Sequence, residues 1–207
     1  MQNRYVGEAG DSGKYGLLRS LGADLQLEIV WYLVPDESHN EDGRRIAYLT
    51  PSTATLNKYR DCDPYLYDAL AKIVRSGQRS VEFVRQRGIL PRGTRFFEDA
   101  LTFEGMPNIG SRARAARLDH RAQWLERAML ATRDADIVFL DPDNGIESGT
   151  QNHTSKGPKY VYFDEIQPYL SRGQSVVVYH YMDCSMPADA QNRYRLAQLR
   201  DRLADYS

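Results

Sequence analysis

The chain has 207 residues and a mass of 23.7 kDa, which corresponds to one α/β domain or at most two small ones. Hydrophobic residues make up 42% and charged residues 27% of the chain, which excludes disordered, collagen-like and disulfide-scaffold classes. The 27 Lys and Arg residues nearly balance the 28 Asp and Glu residues. The resulting net charge of -1 excludes the strongly basic whole-chain signature of a nucleic-acid binder.

The first residues of the chain and its two cysteines indicate the cellular compartment of the protein. The start of the chain has no apolar segment typical of a signal peptide, and no run approaches the roughly 18 apolar residues that a membrane helix needs. Cys62 and Cys184 form neither a CxxC motif nor a zinc-finger spacing, so we interpret them as reduced thiols. We therefore expect a cytoplasmic protein without a membrane segment.

Predicted helices and strands alternate along the chain. This alternation predicts an α/β fold with a doubly wound, mostly parallel sheet and helices on both faces. No repeat or Pro/Gly-rich linker divides the sequence, so we expect a single domain over residues 1–207. In chain order, the predicted elements are a short helix over 14–21, a buried strand over 27–34, a helix over 65–74, a strand over 95–103, a long helix over 112–132, a buried strand over 135–140, a short strand over 159–163, a helix over 164–170, a buried strand over 175–181 and a last helix over 189–204.

Polar side chains follow the three buried strands at the points where they end. In open parallel sheets, ligands bind outside the carboxyl ends of the strands. We therefore expect one cleft that joins the polar groups of these three strand ends. The residues predicted to face it are Asp36, Asn40, Asp141, Asn144 and His180, with Lys14 at its rim.

The loop from Asp141 to Gly145 is the sharpest local signal. Asp141, Asp143 and Asn144 lie at the carboxyl end of an apolar strand. Two carboxylates and a carboxamide are costly to bury there without hydrogen-bond partners. This position predicts a catalytic or ligand-orienting loop. The alternative is a β-turn, because Pro-Asp-Asn-Gly is a favoured turn composition.

A second signal precedes the first strand. Asp11 and Lys14 are three residues apart and share one face if the helix begins early. Lys14 is then a candidate to bind a carboxylate or a phosphate. The alternative is an exposed ion pair of little energetic value.

Further candidates follow the first and third buried strands. An acidic residue such as Asp36, in the loop that also carries Asn40, is where a nucleoside ribose is commonly held, and the alternative is a solvated acidic loop. His180 lies between Tyr179 and Tyr181 at a strand end. It is either a general base or a hydrogen-bonded structural residue.

Basic residues cluster in two stretches of the sequence. They predict a cationic face for the phosphate backbone of a nucleic acid. The alternative is a solvated helix face. The residues are Arg85, Arg87, Arg112, Arg114, Arg117 and Arg121.

Two short motifs carry a resemblance to a known family. Gly7, Asp11 and Lys14 match, at the same spacing, a motif that reads Ala-Gly-Asn-x-x-Asp-x-x-Lys-His. Asp141 and Pro142 match the start of an Asp-Pro-Pro-Tyr motif that follows a buried strand. In these motifs the chain resembles bacterial ribosomal-RNA adenine-N6 methyltransferases. As a whole it resembles a group of bacterial proteins without an assigned activity.

The resemblance implies a class I fold that binds S-adenosylmethionine and methylates an amino group of a nucleic acid or nucleotide. It implies that Lys14 lies near the cofactor or substrate, that Asp36 ends the first strand, and that Asp141 accepts a hydrogen bond from the target amine. We therefore expect catalytic residues Asp141, Asp143, Asn144 and His180, cofactor-binding residues Lys14, Asp36 and Asn40, and no metal ligands.

The chain departs from that family at three points. Tyr15 replaces the family's His, and Asp143 and Asn144 replace the Pro-aromatic pair whose ring stacks on a flipped adenine. The chain also continues for only one predicted helix after its last buried strand. We therefore expect a methyltransferase-like sheet that lacks the final strand pair.

Two other function classes stay open. The first is a Mg²⁺-dependent nuclease or phosphohydrolase that uses the carboxylates of Asp141, Asp143, Asp164 and Glu165. The second is a non-catalytic binding protein on a degenerate methyltransferase scaffold. Their responses to S-adenosylmethionine and to Mg²⁺ distinguish the three classes.

Overall fold

A four-stranded parallel sheet lies at the centre of the structure, a computed structural model that describes residues 1–38, 42–50, 58–182 and 186–206. The strand order is β2-β1-β3-β6, and each neighbouring pair is parallel. Two further short strands, β4 and β5, pair with each other in parallel. The strands are β1 (Leu27–Trp31), β2 (Arg95–Phe97), β3 (Ile137–Asp141), β4 (Gly145–Ile146), β5 (Tyr160–Val161) and β6 (Ser175–Val178).

Helices cover both faces of this sheet. The first three described helices pack on one face and the next three on the other. Four of them begin and end within two residues of their predicted limits, the first is longer than predicted, and the third was not predicted. The helices are α1 (Ala9–Leu21), α2 (Pro64–Arg75), α3 (Val81–Gln86), α4 (Ser111–Ala131), α5 (Phe163–Leu170) and α6 (Ala188–Arg202).

The two central strands are buried along their whole length because their residues are apolar on both faces. Ile29 and Phe139 face α1 and α2, whereas Val30 and Leu140 face α4 and α5. This confirms the prediction of an α/β fold with a mostly parallel sheet and helices on both faces, an arrangement compatible with a Rossmann-like fold. None of the described helices is long and apolar enough to cross a membrane.

Helix α1 begins at Ala9, five residues before the predicted start at Lys14. Two glycines in this stretch, Gly10 and Gly13, disfavour a helix by propensity. One of them is required by packing, because a Cβ atom at Gly10 would lie 2.6 Å from the hydroxyl oxygen of Tyr179. The predicted strands over 95–103 and 159–163 are shorter in the structure and end at Phe97 and Val161.

The order of the strands creates a crevice between β1 and β3. The chain leaves β1 for β2 on one side of the sheet and later reaches β3 on the other side. At such a reversal the connections diverge and leave space above the carboxyl ends of the strands. Trp31 and Asp141 are register partners at that edge. The crevice therefore opens directly beside Asp141.

Candidate functional site

A cavity of about 330 Å³ lies at the carboxyl ends of β1 and β3. The start of α1 forms one wall, the segment from Asp141 to Asn144 forms the floor, and Tyr179 and Tyr181 after β6 close another side. Its volume is at the lower end of the range of small-molecule sites. The lining also includes Asp42 and Arg45, so the cavity carries charges of both signs.

Lys14 lies between two carboxylates in this cavity. Its Nζ atom is 2.8 Å from Asp11 Oδ1 and 2.9 Å from Asp141 Oδ2. The backbone N–H of Gly7 donates to the other oxygen of Asp11 at 2.7 Å. The backbone just before α1 thus holds the carboxylate of Asp11 in place. Lys14 connects α1 to the end of β3 through Asp141.

All three charged side chains are buried, with exposed fractions of 5%, 3% and 1% for Asp11, Lys14 and Asp141. Burial alone lowers the pKa of Lys14, but the charges of Asp11 and Asp141 outweigh it and raise this pKa well above its usual value. Two carboxylates and one ammonium leave an excess of one negative charge. The cluster therefore favours a cation or a hydrogen-bond donor as its neighbour.

Aromatic rings surround the ammonium group of Lys14. Its Nζ atom lies 5.0 Å from the ring centres of Tyr15 and Tyr179 and 5.7 Å from that of Trp31. Such rings attract a cation through their negative faces and displace water from around it. They keep the ion cluster in a dry environment, where its charges interact strongly.

A second polar cluster holds Asp143. Its Oδ2 atom accepts a hydrogen bond from Gln2 Nε2 at 2.9 Å and lies 3.2 Å from Lys159 Nζ. Lys159 also pairs with Glu37 at 2.5 Å. The other oxygen of Asp143 is buried and has no hydrogen-bond partner in the described part of the chain. This acceptor adds to the negative character of the cavity.

An adjoining cavity, also of about 330 Å³, shares Asn144 and Tyr181 with the first one. His180 lines it together with α6 side chains. The Ile146 N–H donates to His180 Nδ1 at 3.2 Å, and Arg195 Nε lies 3.2 Å from His180 Nε2. His180 thus connects β4 to α6.

The structure brings four predicted site residues together in the first cavity: Lys14, Asp141, Asp143 and Asn144. The prediction that Lys14 lies at the rim is wrong, because the two carboxylates hold its side chain in the interior. His180 lines the neighbouring cavity instead. Two important neighbours were not predicted as site residues: Gln2, which no local pattern marks, and Tyr179, which directly precedes the predicted site residue His180.

The prediction that Asp36 faces the common cleft is wrong. Strand β1 ends at Trp31, and the five following residues carry Asp36 away from the sheet edge. Asp36 is exposed, does not line the first cavity, and accepts a hydrogen bond from the backbone N–H of Arg4 at 3.2 Å. The predicted cofactor residue Asn40 lies outside the described residues.

The predicted cationic face does not form as one surface. Arg117 and Arg121 are buried, because they lie on the stripe of α4 that also buries Trp124. Arg121 donates to both oxygens of Glu165, at 2.5 and 2.9 Å. The four other arginines are exposed but divided: Arg85 and Arg87 lie on and just after α3 over one face of the sheet, and Arg112 and Arg114 lie on α4 over the other.

The predicted group of four magnesium-binding carboxylates does not converge. Asp141 pairs with Lys14 on the face covered by α1, whereas Glu165 pairs with Arg121 on the opposite face. Asp164 lines a third, open cavity beside Arg202. Among residues 1–38, 42–50, 58–182 and 186–206, no group of three or more His, Cys, Asp or Glu side chains is placed to hold a metal ion.

Comparisons with protein-family models, with curated proteins and with solved structures find no match to this chain. The function therefore has to be inferred from the geometry of the two adjoining cavities. The ion pair between Lys14 and Asp141 is the most specific feature of the first cavity, because it joins two sequence motifs in one site.

Proposed function

We propose that this protein is an S-adenosylmethionine-dependent methyltransferase that acts on an amino group of a nucleic acid or nucleotide. The observation that carries the proposal is the contact between Lys14 and Asp141 at 2.9 Å. The two residues belong to the two motifs that resemble ribosomal-RNA adenine-N6 methyltransferases. If the two motif matches were accidental, there would be no reason for their residues to meet in one buried ion pair.

The residues of the first cavity fit the charges of S-adenosylmethionine. This cofactor carries a sulfonium and an ammonium cation, and besides Asp141 the cavity is lined by the carboxylates of Glu8, Asp11, Asp42 and Asp143. The carboxylate of the cofactor would be held by Arg44 or Arg45, which line the same cavity. The absence of a side chain at Gly10 leaves room for Tyr179 against the wall formed by α1.

The bound cofactor would supply an electrophilic methyl group to the target amine. Asp141 would accept a hydrogen bond from that amine and orient its lone pair, so that its contribution is positioning and electrostatics. Lys14 and Asp11 hold the carboxylate of Asp141 in place, and the surrounding rings exclude water. The pKa of Lys14 keeps its amine protonated, so Lys14 acts as a fixed charge and not as a base.

The metal-dependent alternative has weaker support, because its four carboxylates lie on opposite faces of the sheet. The non-catalytic alternative differs from the proposal in turnover and not in fold. A methyltransferase scaffold that has lost its activity would bind the acceptor without consuming S-adenosylmethionine. Binding of the cofactor is therefore the first property to measure.

Isothermal titration calorimetry with S-adenosylmethionine and S-adenosylhomocysteine tests the proposal without knowledge of the acceptor. We expect both compounds to bind the wild-type protein with one site per chain. Gly10→Ala should weaken binding, because a Cβ atom there displaces Tyr179 from the cavity wall. Gly13→Ala is the matched control on the same helix, since no atom lies within 4 Å of its new Cβ. Failure of both compounds to bind the folded wild-type protein would refute the proposal.

A further inference from the structure

The second cavity is lined by three tyrosines that come from three different parts of the fold. Tyr160 begins β5, Tyr181 follows β6, and Tyr194 lies on α6. Tyr181 and Tyr194 are 46% and 54% exposed, which is high for large aromatic side chains. Convergence of such rings on one cavity indicates a surface that is completed by a ligand.

We propose that this second cavity is the acceptor subsite and that it takes a planar heteroaromatic ring, the base of a nucleotide. The inference rests on the proposed function, because it assigns the cofactor to the first cavity and the methyl acceptor to the second. The two cavities meet at Asn144 and Tyr181. A ring in the second cavity is thus adjacent to the loop that carries Asp141.

The guanidinium of Arg45 lies 5.8 Å from the ring centre of Tyr181, and that of Arg195 lies 5.8 Å from the ring centre of Tyr194. A ligand ring would stack on the faces that these two cations leave uncovered. None of the three tyrosines stacks on another aromatic ring of the described part of the chain, whereas the buried rings of Tyr32 and Trp124 pack 4.7 Å apart. Stacking on an aromatic side chain is tolerant of base identity, because every base has a π face. The Asp-Pro-Asp-Asn loop lacks the ring that the resembling family carries there, and these tyrosines supply such a surface from elsewhere in the fold.

Asn144 supplies the polar group at the junction of the cavities. Its carboxamide makes no hydrogen bond within the described residues, although its backbone N–H donates to the Lys159 carbonyl at 2.8 Å. A carboxamide offers one acceptor oxygen and two N–H donors in one plane, a pattern that matches the edge of a base. Asn144 is therefore placed to contact the edge of a ring whose face lies on the tyrosines.

The charges of the two cavities differ in the sense that the proposal requires. Five acidic side chains (Glu8, Asp11, Asp42, Asp141 and Asp143) and three basic ones (Lys14, Arg44 and Arg45) line the first cavity, whereas no Asp or Glu of the described residues lines the second one. Arg195 adds a positive charge to the second cavity. A cationic cofactor is thus favoured in the first cavity and an anionic nucleotide in the second.

The test uses 2-aminopurine riboside 5′-monophosphate, a nucleotide whose fluorescence falls when its base stacks. The probe is titrated with wild-type protein in the presence and absence of S-adenosylhomocysteine. We expect quenching, and we expect Tyr194→Ala to weaken binding by about fivefold or more, the lower limit of one base-aromatic stack. Tyr194→Phe keeps the ring and should bind within about twofold of the wild type.

Tyr65→Ala is the matched control, because Tyr65 is also 54% exposed but lies on α2, away from the cavity. It should not alter binding of the probe, and thermal unfolding confirms that each variant is folded. Absence of quenching, or equal effects of Tyr194→Ala and Tyr65→Ala, would overturn the subsite assignment even when S-adenosylhomocysteine binds. Quenching that depends on Tyr194 without binding of S-adenosylhomocysteine would keep the subsite and refute the proposed function.

Discussion

Lys14 and Asp141 are 127 residues apart in the chain, and their side chains form a buried ion pair at 2.9 Å. Asp11 is the third member of the cluster and lies one helical turn before Lys14. The pair connects α1 to the end of β3 across the crevice. Lys14 therefore neutralises charge in this region and also holds the carboxylate of the proposed chemistry.

Removal of the central charge should destabilise the protein strongly. Lys14→Met leaves Asp11 and Asp141 buried, close together and without a cation, so the free energy of unfolding should fall by about 3–5 kcal/mol. Urea denaturation measures this change. Asp141→Asn in the Lys14→Met background should recover part of the loss, because it removes one of the two repelling charges.

The control for this prediction is the ion pair of Arg127 with Asp99, which has the same 2.8 Å separation as Lys14 with Asp11 but is half exposed. Arg127→Met should change the free energy of unfolding by at most about 1 kcal/mol. Losses of equal size in Lys14→Met and Arg127→Met would show that burial of the cluster has no energetic consequence.

Asp141→Asn should reduce methyl transfer much more than it reduces folding. The amide keeps the shape of the side chain, and Lys14 retains Asp11 as a partner, so the thermal midpoint should change little. The loss of a preorganised charge next to the target amine should lower kcat by about 100-fold, with cofactor affinity within about twofold. Steady-state kinetics and calorimetry measure these quantities, and wild-type turnover in the variant would remove Asp141 from the chemistry.

Alkaline pH should destabilise the fold. The pKa values of Tyr15 and Tyr32 are raised well above normal by burial. That of Lys14 is also raised, because two carboxylates outweigh its burial. All three groups hold their protons more tightly in the folded state, so their contribution is fully present below about pH 10 and is lost as pH rises further.

Urea unfolding between about pH 8 and about pH 11 checks this expectation. The free energy of unfolding should be nearly constant at the lower end and should fall above about pH 10. Lys14→Met should show a shallower decline, because one of the titrating groups is missing. A constant free energy of unfolding up to about pH 11 would contradict the burial of these groups.

Arg121 should behave as a structural residue. Its guanidinium also donates to the carbonyls of Gly157 and Tyr160, at 2.9 and 2.7 Å, in addition to the carboxylate of Glu165. A lysine ammonium cannot reproduce this planar set of donors, so Arg121→Lys should cost about 2–4 kcal/mol in urea denaturation. Arg114→Lys, an exposed change on the same helix, should stay within about 0.5 kcal/mol. Equal losses of unfolding free energy in Arg121→Lys and Arg114→Lys would contradict the buried, structural role of Arg121.

The layered α/β fold was predictable because its signals are local. The runs that form β1 and β3 are continuous and rich in β-branched and aromatic residues, which is typical of strands covered on both faces. The run that forms β6 has a similar composition, but this strand lies at the edge of the sheet and none of its residues is buried, so the prediction of a third buried strand is wrong. The position of the Asp-Pro-Asp-Asn loop beside a cavity was predictable because the loop follows the buried strand β3. The three-residue spacing of Asp11 and Lys14 correctly indicated that they share one helix face.

The remaining parts of the site depend on long-range contacts. Gln2 reaches Asp143 across 141 residues, and no local pattern marks that partner. Arg117 and Arg121 do follow the helical spacing of the buried stripe of α4, but charged residues on such a stripe are usually solvated unless a partner such as Glu165 is present. That partner is encoded 44 residues away from Arg121.

The most direct test of the central claim is amide hydrogen exchange with and without saturating S-adenosylhomocysteine. A cofactor held between the two motifs should slow exchange in residues 7–14 and 141–145 and leave the core of α4, residues 117–128, unchanged. Slower exchange in both motif segments would support the cofactor site as described. Unchanged exchange in both, or protection confined to other segments, would contradict it.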